Sequence, residues 1–225
     1  MEPRRPPLRS LVLVFLLAAG GAFAQGQKFL DLGVKGGLAL PSFIWTGDDG
    51  WNDITYFAVQ GEVYAFACAN LSPTFGIELE AGYRGKGCVV SDDYGNYAKW
   101  YMDYLEFPVW AKWTAHAPSG FGIYGGLGGY AAIFLGGRYE FSTGEGGVWD
   151  SSGSLSSGDS DSPTLVRPLD CGALLVAGME SRHWMGEMRF SFGFLQSMDF
   201  TPPPDFGGER GSLNSGIDFL VGYKL

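Results

Sequence analysis

Residues 75–87 read FGIELEAGYRGKG. From Phe75 to Tyr83 the odd positions carry Phe75, Ile77, Leu79, Ala81 and Tyr83. The even positions carry only glycine or charge: Gly76, Glu78, Glu80 and Gly82, then Arg84 and Lys86. A period of two marks a β-strand with two unlike faces. Two folds produce this pattern. In a soluble sheet the apolar face packs into the core and the charged face is wet. In a membrane barrel the apolar face meets lipid and the charged face lines the lumen. The connections and the charge balance of the whole chain decide between them.

The chain has 225 residues, 36 of them glycine, with 16% aromatic and 17% charged residues. This composition, without long Leu/Ala/Glu/Lys stretches, favours strands over helices. The formal charge is −9 and no basic stripe interrupts it, which argues against a nucleic-acid partner. At the N-terminus, Arg4, Arg5 and Arg9 precede an apolar run, Leu11 to Ala19, and the triplet Ala22-Phe23-Ala24. That is the layout of a secretory signal peptide cut after Ala24. The run is about half of the ~20 residues that a spanning helix needs. Two segments are therefore expected: a leader over 1–24 and one domain over 25–225. Losing three arginines and one glutamate with the leader moves the charge from −9 to −11. Cys68, Cys88 and Cys171 are an odd, widely spaced set, which is no disulfide framework. No later stretch suits a spanning helix, so any membrane insertion must use strands.

Eight strands are predicted, over 29–40, 56–68, 74–87, 99–114, 120–141, 169–181, 184–199 and 215–225. The connections between them run PSFIWTGDDGWNDIT, ANLSP, CVVSDDYGNYA, AHAPS, STGEGGVWDSSGSLSSGDSDSPTLVRP, RH and TPPPDFGGERGSLN. Long and short alternate through all seven. A soluble sandwich has no reason to sort its loops in this way, whereas an up-and-down transmembrane barrel has short periplasmic turns and long outer loops. The long connections hold Asp48, Asp49, Asp53, Asp92, Asp93, Glu145, Asp150, Asp159, Asp161, Asp205 and Glu209 against Arg167 and Arg210. Negative charge is thus gathered at one end. The Ser/Gly/Asp-rich segment 142–168 has too little apolar surface to order itself and is expected to be a mobile loop.

Parity assigns the charged face strand by strand. It carries the acids Asp31, Glu62, Glu78, Glu80, Glu106, Glu140, Glu180, Glu187 and Asp218, and the bases Lys35, Arg84, Lys86, Lys112, Arg138, Arg182, Arg189 and Lys224. Near balance on this face of an acidic chain is what a closed cavity demands, because each buried charge needs a partner. Gly76, Gly82, Gly122, Gly126 and Gly128 fall on the same face, as crowding inside a narrow cylinder requires. Asp103 departs from this assignment and is read as a bulge or as the strand leaving the membrane. The opposite face is apolar through the middle of every strand. Trp113, Phe121, Trp184 and Tyr223 gather at its short-turn end, and Phe57, Tyr139, Phe141 and Phe200 at its long-loop end. The predicted fold is all-β: an eight-stranded antiparallel up-and-down transmembrane barrel.

LGVKGGLAL (32–40), YLEFPVWAKW (104–113), YGGLGGYAAIFLGGRY (124–139) and GIDFLVGYKL (216–225) resemble the bacterial outer-membrane β-barrel family of porin-family or PorT-like small barrels. The resemblance covers the mature chain and its motifs are structural. It implies an eight-stranded barrel in the outer membrane, surrounded by lipid and inserted by the barrel-assembly machinery. The terminal Tyr223-x-Leu225 keeps the apolar spacing of an assembly signal, with leucine where an aromatic is usual.

Other chemistry is weakly signalled. Gly126 to Ala131 fits G-x-G-x-x-A, but no helix or βαβ unit follows, so it is a glycine-rich strand. His116 and His183 lie at different short turns without ligand spacing to cysteine or carboxylate, so no metal site is expected. Glu78 and Glu80 have Arg84 and Lys86 nearby, which favours a salt-bridge network over a catalytic pair. Asp48 to Asp53 and Asp92 to Asn96 are oxygen-rich but lack helix-loop-helix calcium spacing; solvated loop tips are the simpler reading. We therefore expect a monomeric, non-enzymatic outer-membrane protein without cofactor, its lumen filled by charge. Its acidic extracellular loops are offered to an external partner. The alternative is a small porin-like channel. A lipid-modifying barrel enzyme would need a rim constellation that is absent from the sequence. A lipocalin-like barrel would need an apolar interior.

Overall fold

Alternating sequence becomes strand almost throughout the residues described by the computed structural model: 28–46, 50–92, 95–142, 151–157, 164–200 and 210–225. In chain order the elements are β1 (Leu30–Thr46), a single helical turn α1 (Gly50–Asp53), β2 (Thr55–Phe57), β3 (Gln60–Ser72), β4 (Phe75–Ser91), β5 (Tyr97–His116), β6 (Gly122–Ser142), β7 (Ser151–Leu155), β8 (Thr164–Val166), β9 (Leu169–Glu180), β10 (Trp184–Phe200) and β11 (Arg210–Lys224). The leader expected over 1–24 lies outside the described residues. So do Asp48, Asp49, Asp93, Glu145, Asp150, Asp159, Asp161, Asp205 and Glu209.

Eight of these strands close on themselves. Antiparallel neighbours run β11, β1, β3, β4, β5, β6, β9, β10, and β10 pairs with β11 to complete the ring. The first strand is bonded to the last from Gly33 opposite Lys224 to Thr46 opposite Gly211. Closure gives each of the eight ring strands a ladder-bonded neighbour on both sides, the condition for backbone in hydrocarbon.

The two faces are sorted as a membrane barrel requires. In β4, Leu79 is 52% exposed while its neighbour Glu78 is 0% exposed. The same inversion holds at Val34 beside Lys35, Val63 beside Glu62 and Phe190 beside Arg189, where the apolar residue is exposed and the charged one buried. Trp113, Phe121, Trp184 and Tyr223 ring the short-turn end and are exposed. Trp184 meets Tyr223 edge-on at 5.1 Å, and Phe75 lies 5.3 Å from Trp113.

The short connections are tight for local reasons. Ala117-Pro118-Ser119-Gly120 closes with a Gly120 N–H to Ala117 carbonyl bond of 3.0 Å, and Gly120 has φ of 82°. Proline presets the second turn position, and glycine takes a left-handed angle that other residues avoid. Ser181 N donates to the Trp184 carbonyl at 2.8 Å to turn β9 into β10.

At the other end the strands are longer than the sequence boundaries predicted. β1 runs to Thr46 rather than 40, β4 to Ser91 rather than 87, and β11 begins at Arg210 rather than 215. In β1 and β4 the extra length lines an internal apolar cluster through Phe43, Trp45, Cys88 and Val90, so these residues gain from staying in the sheet although they lie beyond the lipid-facing belt. Pro41 is compatible with this because its carbonyl is the group in use, accepting Ala58 N–H at 2.9 Å. The segment 142–168 also departs from expectation. Its described parts form β7 on β6 and β8 on β10. Leu155 and Val166 are buried within the apolar cluster, which offsets the cost of ordering a Ser/Gly-rich chain.

Candidate functional site

The lumen is built from inward residues of all eight ring strands, in three tiers. At the short-turn end, Glu180 on β9 receives Lys112 at 2.7 Å and Lys224 at 2.9 Å, with His116 Nε2 3.6 Å away. Lys112 also lies 3.8 Å from Glu78. Above it, Lys35 is the hub. Its ammonium donates to Glu78, to Glu80 at 3.0 Å and to Glu187 at 2.8 Å. Arg189 holds both Glu80 oxygens at 2.7 and 2.8 Å and pairs through Nε with Glu187. Trp110 Nε1–H and Tyr124 O–H complete Glu80 and Glu187, each at 2.9 Å.

The next tier centres on Arg84. One guanidinium nitrogen donates to Asp218 and to Ser191, each at 2.8 Å, and another lies 3.4 Å from Glu106. Lys86 bridges Glu106 and Asp170 at 2.8 Å each and sits 4.1 Å above the Tyr130 ring. Tyr64 O–H donates to Glu106 at 3.0 Å, and Asn214 donates to Asp170 at 2.8 Å. Arg84, Arg189, Lys35, Lys86, Glu78 and Glu106 are among the largest fully buried side chains. Charges so deeply desolvated are tolerable only when paired and hydrogen-bonded.

The third tier is apolar and was not anticipated. Phe43, Trp45, Cys88, Val90, Trp100, Met102, Tyr104, Phe134 and Met198 fill the loop-side end, with Leu155 and Val166 across it. Trp45 meets Trp100 edge-on at 5.5 Å, and Tyr104 meets Phe134 at 5.5 Å. The signal was present in the parity. Phe43 and Trp45 follow Lys35 at odd positions, and Trp100 and Met102 precede Glu106 at even ones.

Four of the residues assigned to the lumen stand elsewhere. Arg138 and Glu140 face outward because β6 contains a bulge: Asp103 pairs with Gly136 but Tyr104 with Phe134, leaving Leu135 as the extra residue. One extra residue flips every later side chain. Arg138 therefore lies 4.5 Å over the outward Tyr101 ring, and Glu140 is 3.9 Å from the outward Lys99. Tyr139 and Phe141, expected in the outer girdle, pack against the internal cluster instead. Asp103 keeps the parity of its strand and accepts a hydrogen bond from Tyr83 on the outer face; the irregularity belongs to its partner. Arg182 is exposed in the β9–β10 turn. Asp31 sits at the rim, 3.3 Å from Lys28 and bonded by Asn70 at 2.9 Å. One lumen acid was overlooked: Asp170, which shares even parity with Glu180.

In the oxygen-rich loops, Asp92 and Asn52 hold the local backbone and its neighbours. Asp92 accepts Asn96 N–H at 3.0 Å and its side-chain amide at 2.7 Å. Asn52 accepts Trp45 N–H at 2.9 Å and donates back to the Trp45 carbonyl at 3.2 Å.

A family model described as outer membrane protein beta-barrel domain matches residues 23–199. Among solved structures, the outer membrane protein OprG of Pseudomonas aeruginosa aligns at 15% identity with a TM-score of 0.51, covering 87% of this chain and 95% of that one. The likeness is one of fold. Weaker likenesses are Neisserial surface protein A, at 10% identity and TM-score 0.40 over 86% of this chain and 97% of that one. The Ail protein of Yersinia pestis follows at 12% and 0.37 over 88% and 100%. No curated protein sequence matches the chain significantly.

Proposed function

The chain belongs to the outer membrane protein β-barrel domain family, and from that membership we propose a structural, surface-displaying outer-membrane protein with a closed, charge-filled lumen. Its location is the bacterial outer membrane. In this proposal residues 1–24 direct export and are removed, the barrel-assembly machinery inserts the rest, and the mature protein works as a monomer in lipid. Its acidic outer connections meet an external partner. No catalytic role is included: Glu78 and Glu80 both contact Lys35, and Glu80 also contacts Arg189.

The observation that supports a closed barrel is the filling of the lumen from its charged tiers to its apolar cap. Trp100, Met102 and Met198 are fully buried at the loop side, and Arg84, Lys35 and Glu78 below them. Eight strands enclose about enough room for side chains alone. A channel would require this network and its cap to move together. The test is single-channel recording of the purified protein in planar bilayers. We expect no resolved steps; large, stable, weakly selective steps would establish the channel instead.

A further inference from the structure

On the outside of the sheet, charge gathers along one arc of the wall. The outward apolar residues of β6 run from Ile123 to Leu135. That is roughly 30 Å of height at about 3.3 Å per residue and a tilt of about 40°, enough to span the ~25 Å apolar band. On β5 the outward apolar run ends at Leu105. The next outward side chains are Asp103, Tyr101 and Lys99 on β5, and Arg138 and Glu140 on β6. On β1, β4 and β11 the outward residues at this height are uncharged: Ser42, Tyr83 and Ser215.

The bases of this arc are held by rings more than by carboxylates. The Arg138 guanidinium lies 4.5 Å over Tyr101, and the Lys99 ammonium 4.3 Å over Tyr97. Tyr83 donates to Asp103 and so occupies that carboxylate. Glu140 stands 3.9 Å from Lys99, at the limit of an ion pair. Arg138 is exposed, and among the described residues no carboxylate pairs with it. A third base lies close by. The Pro168 carbonyl accepts Phe134 N–H at 2.9 Å, so the exposed Arg167 stands one strand further round, level with Leu135. The bulge at Leu135 creates the arc, because it turns Arg138 from the lumen to the outer face, a use to which bulges are often put.

We propose that this arc seats the phosphate of an outer-leaflet lipid, gripped by Arg138 and flanked by Lys99. A planar guanidinium gives phosphate two parallel hydrogen bonds. Lys99 is opposite Glu140 and therefore diagonal to Arg138, about 7–8 Å away, within reach of the same group. Height selects the occupant. A lipid lying against the wall presents its headgroup here, whereas a soluble partner would have to reach down beside the sheet. Directly below, the exposed Leu135, Ile133 and Phe107 offer an apolar face to its acyl chains. Basic clusters at the membrane surface hold anionic headgroups in just this way. The acidic connections take no part.

The test uses the chain from residue 25 onward, folded in detergent micelles, its folding checked by heat-modifiable gel migration. Native mass spectrometry counts the lipid it retains on titration with diphosphoryl lipid A, with the same lipid stripped of phosphate, and with inorganic phosphate. We expect one diphosphoryl lipid to be retained and the stripped lipid to be lost. Lys99→Ala with Arg138→Ala should weaken retention at least about tenfold. Both side chains lie on the outside of the sheet, and Lys99→Gln with Arg138→Gln serves where the alanine pair does not fold. Arg182→Ala, which removes a base from the short-turn end, should retain the lipid as the unaltered chain does. Equal retention of the stripped lipid overturns the proposal, since acyl chains alone would then hold it. Displacement by millimolar inorganic phosphate overturns it too, by marking a free-phosphate site. So does unchanged retention by the double variant, or an equal loss in Arg182→Ala, which would mark charge without a site.

Discussion

At the scale of the residue, the lumen depends on a few hubs rather than on many equivalent pairs. Lys35 contacts Glu78, Glu80 and Glu187. Lys35→Met should therefore remove a cation shared by three buried carboxylates, leaving Arg189 alone to pair with Glu80 and Glu187, and destabilise the barrel by about 3–5 kcal/mol, measured by urea unfolding in micelles. Arg182→Ala removes the same formal charge from an exposed turn and should stay within about 0.5 kcal/mol. Equal losses would mean that net charge, and not pairing, sets stability. The hubs were legible in the sequence because parity alone selects them: Lys35, Glu78, Glu80, Arg84, Lys86, Glu106, Lys112, Glu187, Arg189 and Asp218 all stand inside. Their partners were not legible. Lys35 reaches Glu187 across 152 positions of sequence, and no periodicity within a strand encodes which strands face one another across a lumen.

At the scale of the element, the instructive strand is β6. The bulge at Leu135 leaves no trace in composition, so parity counted from Tyr124 carried Arg138 and Glu140 to the wrong face. In a cysteine-free background, Arg138→Cys should react with a water-soluble maleimide and Tyr139→Cys should be protected. Deletion of Leu135 should leave those results unchanged, because Gly136 then follows Phe134 in regular alternation and keeps its pairing with Asp103; exchanged labelling would refute the bulge. The lower half of β6 obeys a different constraint. A Cβ on Gly126 would lie 2.3 Å from the Trp110 ring and 2.4 Å from the Ala111 carbonyl. Gly126→Ala should cost about 1–3 kcal/mol through overpacking, read by the same urea titration. Glycine-rich strands that look permissive in sequence are thus tightly fitted, because inward side chains on the neighbouring strand occupy the space.

At the scale of the whole molecule, strand count, loop parity and face assignment were all readable, since each follows from how a closed sheet must present itself to lipid and water. The apolar cap was not read, because its residues lie beyond the belt, where hydropathy was taken to signal loop. That extension has a consequence outside the lumen. The ring strands reach 21 residues in β6, or roughly 70 Å along the strand at about 3.3 Å per residue. Even tilted at about 40° this exceeds the apolar band of ~25 Å by about a factor of two. The barrel therefore stands out of the bilayer as a chimney. A large body approaching the cell meets connections carried on a ladder-bonded rim rather than lying at the membrane surface, and the base of each connection is held at a fixed height by the sheet below.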